Sequence, residues 1–164
     1  DLICLSKSLG GGMLPIAITS CTQKVFDGFY DDQLSKGFFH AHTFSGNPVC
    51  CSAALASIEL LQTPKIQEHI KRVIKSHKEF NNRIKNHPKV ASTRQCGIIY
   101  ALDLNIEMAR YGSSRNQLFD HFMDNGVFLR PLGNTIYILA PFVITDKQLK
   151  KVYAAIEAVL EVIQ

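Results

Sequence analysis

No apolar run in this chain of 164 residues approaches the roughly 18 residues that a membrane-crossing helix needs, and no signal-peptide pattern is visible. Charge of one sign is also scarce. The net charge of +4 is mild and not clustered, so neither nucleic acid nor a membrane surface is called for. The five cysteines are an odd number and never fall at CxxC spacing, which fits a reducing, cytoplasmic compartment better than a disulfide framework. GxGxxG is missing, and so is the Walker pattern, because Lys7 precedes its glycines instead of following them. Internal repeats and low-complexity stretches are missing too. What remains is ordinary for a soluble globular protein: 46% hydrophobic and 20% charged residues, enough for one domain with a core or for a domain and part of another. The chain opens on Asp1 with an apolar run directly behind it, which leads to the expectation of a piece from a longer chain.

That run, Leu2 to Leu5, reads as a short buried strand. It ends at Ser6-Lys7-Ser8-Leu9 and then Gly10-Gly11-Gly12, a backbone free of side chains. The plain reading is a surface lysine in a glycine turn. The chemical reading is an amine offered to a flat ligand at a strand end, partly buried among neutral neighbours that lower its pKa for Schiff-base chemistry. Pro15 to Ser20 reads as a second strand, Thr22 as the cap of a short helix, and Asp27 to Gly37 as a loop. The stretch Phe38 to Pro48 is crowded with aromatics, histidines and small polar residues but lacks periodicity, as loops that serve sites do. A zinc site from His40, His42, Cys50 and Cys51 is disfavoured, since adjacent helical cysteines point in different directions. Thr43, just ahead of a helix capped by Asn47 with Pro48 at its first position, offers a hydroxyl and backbone amides suited to a phosphate. That helix is apolar nearly all round and is expected to be buried.

Pro64 begins a different regime, and the boundary is set at residues 63 and 64. A long amphipathic helix spans 66–86, its basic stripe of Lys71, Arg72, Lys75 and Lys78 read as a solvated face. Strands are expected at 90–93, 98–104, 127–131 and 135–139, the last two joined by a tight turn at Leu132-Gly133-Asn134. Helices are expected from Ser114 to Gly126, with Leu118, Phe119, Phe122 and Met123 inward, and from Lys147 to Ile163, capped by Thr145 or Asp146. The whole is an α/β chain whose second part, 64–164, is an α+β layer with helices on one side of a small sheet.

Two strings carry a resemblance. Cys4-Leu5-Ser6-Lys7-Ser8-Leu9-Gly10-Gly11-Gly12-Met13-Leu14-Pro15 resembles the lysine segment of class III (fold type I) aminotransferases, and His42-Thr43-Phe44-Ser45-Gly46-Asn47-Pro48 with Cys50 to Ala56 resembles a second segment of that family. The resemblance runs to the C-terminus and implies pyridoxal 5'-phosphate as cofactor, with Lys7 as its covalent partner and catalytic base. It also implies a homodimer with a shared active site, in which Thr43 meets the neighbour's cofactor phosphate. Residues 1–63 would be the end of the cofactor-binding large domain and 64–164 the small C-terminal domain. The segment from Val127 to Ile144 is most similar to the branch serving biotin synthesis, with S-adenosylmethionine as amino donor and 8-amino-7-oxononanoate as keto acceptor. By that resemblance Arg130 holds the acceptor's carboxylate, which a planar guanidinium suits, and Tyr137 and Ala41 lie at the substrate pocket. The plain readings are a structural ion pair for Arg130 and a core aromatic for Tyr137. The branch often has Gly-Pro where this chain has Ala41-His42, and the family's pyridine-nitrogen aspartate lies ahead of the lysine strand, outside these residues. Another class III ω-aminotransferase, a dimerisation module without catalysis, and a nucleotide-binding glycine loop stay open as alternatives.

Overall fold

The glycines, prolines and capping residues cut the chain into short elements and turns. In the computed structural model, which describes residues 1–109 and 112–162, two compact units emerge, Asp1–Thr63 and Pro64–Gln164.

In the first unit, strands β1 (Leu2–Leu5) and β2 (Ile18–Cys21) form an antiparallel hairpin in which Leu2 faces Cys21 and Leu5 faces Ile18. The second strand is shorter than expected, starting at Ile18, because Pro15 has no N–H for a ladder. Between the two lies a 3-10 turn, Lys7–Gly10. Helix α1 (Gln23–Asp27) follows Thr22, and a long loop leads to α2 (Pro48–Gln62). Asn47 caps α2 well: its Oδ1 accepts from the Val49 and Cys50 amides at 3.0 and 3.2 Å. The expectation that α2 is buried is not met. Of its residues only Ala54 is buried, while Val49, Leu55, Leu60 and Leu61 are exposed. The unit offers one hairpin and one turn for packing, too little surface to cover a helix that is apolar on every side.

The second unit has what the first lacks. Helix α3 (Pro64–Ile84) presents Ile66, Val73, Phe80 and Ile84 inward, as its apolar spacing predicts, and buries His77 among them, which that spacing does not predict. Strands β3 (Val90–Cys96), β4 (Ile99–Leu104) and β5 (Thr135–Leu139) form an antiparallel sheet in the order β3-β4-β5. Tyr100, Leu102, Ile136 and Ile138 point from it into the core. Helix α4 (Ser113–Asp124) adds Leu118 and Phe122, with Phe119 half-buried and Met123 exposed, contrary to expectation. Gly126, at φ 62°, closes it with bonds from the Gly126 amide to the Met123 carbonyl and from Val127 to Phe122. Helix α5 (Asp146–Val162) starts with a reciprocal cap. The Thr145 amide donates to Gln148 Oε1 and the Gln148 amide to Thr145 Oγ1. Leu149, Tyr153, Ile156, Val159 and Leu160 face the core; Ile163 lies outside the described residues.

Two expectations are corrected here. Arg72 is not merely solvated: it bonds Asp146 and the Ile144 carbonyl, tying α3 to the start of α5. Residues 127–131 are not a strand. The Leu129 amide is spent on the Val127 carbonyl at 3.1 Å, and Pro131 has none to give. Pairing begins only at the Leu132–Thr135 bridge, around Gly133 in the left-handed region.

Candidate active site

Each unit is taken by itself. In the first, β1 delivers Lys7 at its carboxyl end, exposed rather than partly buried as expected. Its φ of 53° makes it the non-glycine residue with a left-handed backbone among those described. Such a conformation costs an L residue free energy and persists only where the surroundings hold it; strained residues of this kind cluster at functional sites. The chain then winds through the 3-10 turn, with Leu9 N bonding Ser6 O and Gly11 N bonding Ser8 O. A Cβ on Gly12, also left-handed at φ 76°, would meet nothing within 4 Å, so the far side of the turn is open to a flat ligand.

Thr43 stands in a turn closed by bonds from Ser45 N to His42 O at 2.8 Å and from Asn47 N to Phe44 O at 3.1 Å. The His42 amide donates to Ser45 Oγ. Thr43 is exposed and makes no hydrogen bond among the described residues. The first amides of α2 are occupied by Asn47, and Pro48 has no N–H. An anion here would therefore be met by Thr43 and its loop and not by the helix end. Ala41 is exposed in the same loop.

In the second unit, Val127, Leu129 and Pro131 are buried while Phe128 and Arg130 alternate outward, so an anchored backbone carries the guanidinium. Among the described residues nothing pairs with Arg130, which removes the structural ion pair as its explanation there. Tyr137 is half-buried on β5, opposite Ala101 of β4, on the face away from Ile136 and Ile138. It is not a core aromatic. On that same face Asp103 accepts from Ser92, Arg94 and Thr135, and these bonds hold its carboxyl down at about 2.

An exposed amine on a held turn, an unpartnered threonine and an unpaired arginine are the pieces of anion and carbonyl chemistry, and the similarities to known proteins name the class. The profile described as Aminotransferase class-III matches residues 1–160. The chain belongs to the class III aminotransferases. It is 37% identical over 98% of its length to the adenosylmethionine-8-amino-7-oxononanoate aminotransferase of Synechococcus elongatus, and 35% identical over 91% to that of Geobacter sulfurreducens. It spans only 38% and 34% of those relatives. Among solved structures, the same enzyme from Methanocaldococcus jannaschii superposes with a TM-score of 0.79 at 29% identity, over 96% of this chain and 39% of that one. Acetylornithine aminotransferase from Elizabethkingia anophelis gives 0.77 at 26% over 98% and 40%. No helix among the described residues is long and apolar enough to cross a membrane.

Sequence reasoning missed the left-handed lysine, because nothing in a lysine's chemistry signals positive φ. It also missed the Asp103 cluster, whose four members come from three strands. The cross-strand register brings them together.

Proposed function

We propose that the whole protein is a cytoplasmic, homodimeric transaminase. It would move an amino group from S-adenosylmethionine to 8-amino-7-oxononanoate, giving 7,8-diaminononanoate, with pyridoxal 5'-phosphate as cofactor. Residues 1–63 would end the cofactor-binding domain and 64–164 would form the small domain. The observation that carries this reading is the similarity to the S. elongatus enzyme over nearly all of the chain.

The residues fit the cofactor: an exposed amine on a side-chain-free turn for its aldehyde, and a threonine with an uncommitted hydroxyl for a phosphate. When bound, pyridoxal phosphate supplies an electron sink for the carbon that loses its proton. Lys7 Nζ would hold the cofactor through its aldehyde carbon. Released by the donor amine, Nζ would take the proton from the donor carbon and return one to the acceptor's carbonyl carbon. Thr43 would donate its hydroxyl to the phosphate of the cofactor held by the neighbouring subunit. Arg130 would make a bidentate pair with the acceptor carboxylate. Tyr137 and Ala41 border the substrate.

A donor assay on the whole protein tests this. Turnover with S-adenosylmethionine and little with ornithine, alanine or 4-aminobutyrate is expected; the reverse pattern overturns the assignment. A near-violet absorbance band with pyridoxal phosphate, lost on borohydride treatment and missing in Lys7→Ala, tests the role of Lys7. A second reading, another class III ω-aminotransferase, is supported by the comparable TM-score of the acetylornithine enzyme, and the same assay separates the two.

A further inference from the structure

We infer that Ser57 of α2 is a positioning residue for Lys7, clamping the left-handed turn that aims its amine; this rests on the reading of Lys7 as the cofactor-binding lysine. A non-glycine residue at φ 53° needs its neighbours held, or the backbone relaxes and the side chain swings with it. Bonds within the turn close it locally, but they are those of any 3-10 turn. Two contacts come from outside.

The first is on β2's side, where the turn packs close: a Cβ on buried Gly10 would lie 3.0 Å from Ile16 Cγ2. The second is Ser57. Its hydroxyl donates to the Ser8 carbonyl at 3.3 Å, across 49 residues of sequence, and that carbonyl also accepts from the Gly11 amide at 3.0 Å. Ser57 Oγ would stand 3.3 Å from a Cβ on Gly11, so serine and turn abut where Gly11 takes φ 62°. A helical serine often spends its one hydrogen on a carbonyl of the preceding turn of its own helix. Here it is spent on the residue next to Lys7.

Helix α2 is a stiff mount for such a clamp. Asn47 fixes its start, and Ser57 lies ten residues further, about 15 Å along the axis. The strain at Lys7 is therefore resisted by a helix rather than by a loop.

The test uses the whole protein as Ser57→Ala, Ser57→Thr (which keeps the hydroxyl) and the control Ser52→Ala on the same helix. In Ser57→Ala, amide hydrogen exchange in a peptide covering residues 6–12 is expected to rise about fivefold, the loss of one net hydrogen bond, with the melting temperature little changed. Borohydride trapping of pyridoxal phosphate on Lys7, read by peptide mass spectrometry, slows by a similar factor. So does kcat, with KM for the donor unchanged. Ser57→Thr restores all three, and Ser52→Ala moves none. Unchanged exchange in residues 6–12, or exchange raised equally throughout residues 1–63, overturns the inference. The exchange measurement needs no cofactor. If wild-type Lys7 fails to trap pyridoxal phosphate, the transaminase reading falls while the clamp is still judged by exchange.

Discussion

The two units use apolar residues in opposite ways. In residues 1–63 only Gly10 and Ala54 are buried among the described residues, and Leu2, Met13, Phe26, Leu34, Phe39 and Leu55 all stand largely open. In the unit that begins at Pro64, Val73, Phe80, Leu102, Phe122 and Ile156 are each at 0% exposure. The first unit is held by local devices: a hairpin ladder, an Asn cap, a glycine-rich 3-10 turn. The second is held by a core with helices and sheet on either side. Secondary structure therefore forms in both, but the buried apolar area that supplies most of a fold's stability lies in the second. Exposed apolar surface on the scale of the first unit is a face for other protein surface, in a chain that spans only 38% of the S. elongatus relative.

The largest expected effect comes from separating the units. Residues 64–164 expressed alone should melt cooperatively by circular dichroism, and residues 1–63 alone should not. Equal cooperativity in both would erase the contrast. Within the whole protein, Phe80→Ala should cost about 3–5 kcal/mol in denaturant titrations, since Phe80 stacks on Tyr153 at 4.2 Å between ring centroids with no exposure. Leu55→Ala, at 61% exposure, should stay within about 0.5 kcal/mol unless another surface covers it.

A titratable group sharpens the contrast further. His77 is fully buried between α3, β4 and α5, with Nε2 donating to the Ile98 carbonyl at 3.0 Å and Nδ1 accepting from Tyr153 Oη at 2.8 Å. Burial holds it below its ordinary value of 6.5 and pushes the Tyr100 phenol, stacked on it, up to about 12. The unfolded chain therefore takes up a proton near pH 6.5 that the folded unit resists. Stability is full above that pH and falls as pH drops below it. The midpoint of residues 64–164 should fall between pH 7 and pH 5, and His77→Gln should flatten that slope. Asp103 acts lower: its stabilisation, about 1–2 kcal/mol, should be lost between roughly pH 4 and pH 2 and be missing in Asp103→Asn. A further small effect belongs to the first unit. Lys7→Gly should be more stable than Lys7→Ala by about 1 kcal/mol, because glycine adopts φ 53° freely.

Most elements were legible from periodicity and punctuation: α3 from its apolar spacing, α5 from its apolar spacing and a cap at Thr145 or Asp146, the β5 turn from Leu132-Gly133-Asn134. The candidate residues were legible as chemistry. Lys7 stands out by its glycines and Thr43 by the Pro48 helix behind it, while Arg130 was picked out only by the resemblance of its segment. Burial was misread where pattern and partner part company, as in α2. His77 and Tyr153 gave no signal, since a histidine on an amphipathic helix reads as polar until a neighbour is placed against it.

The sequence by itself determined the element order, the division near Pro64 and the residues able to meet an aldehyde, a phosphate and a carboxylate. Each follows from local backbone preference or side-chain chemistry. Only the tertiary structure decided that Lys7 is left-handed, that Ser57 reaches Ser8, that Tyr137 turns away from the core and that Arg130 stands unpaired among the described residues. These depend on contacts between residues far apart in the chain, and no local rule specifies which distant partner arrives.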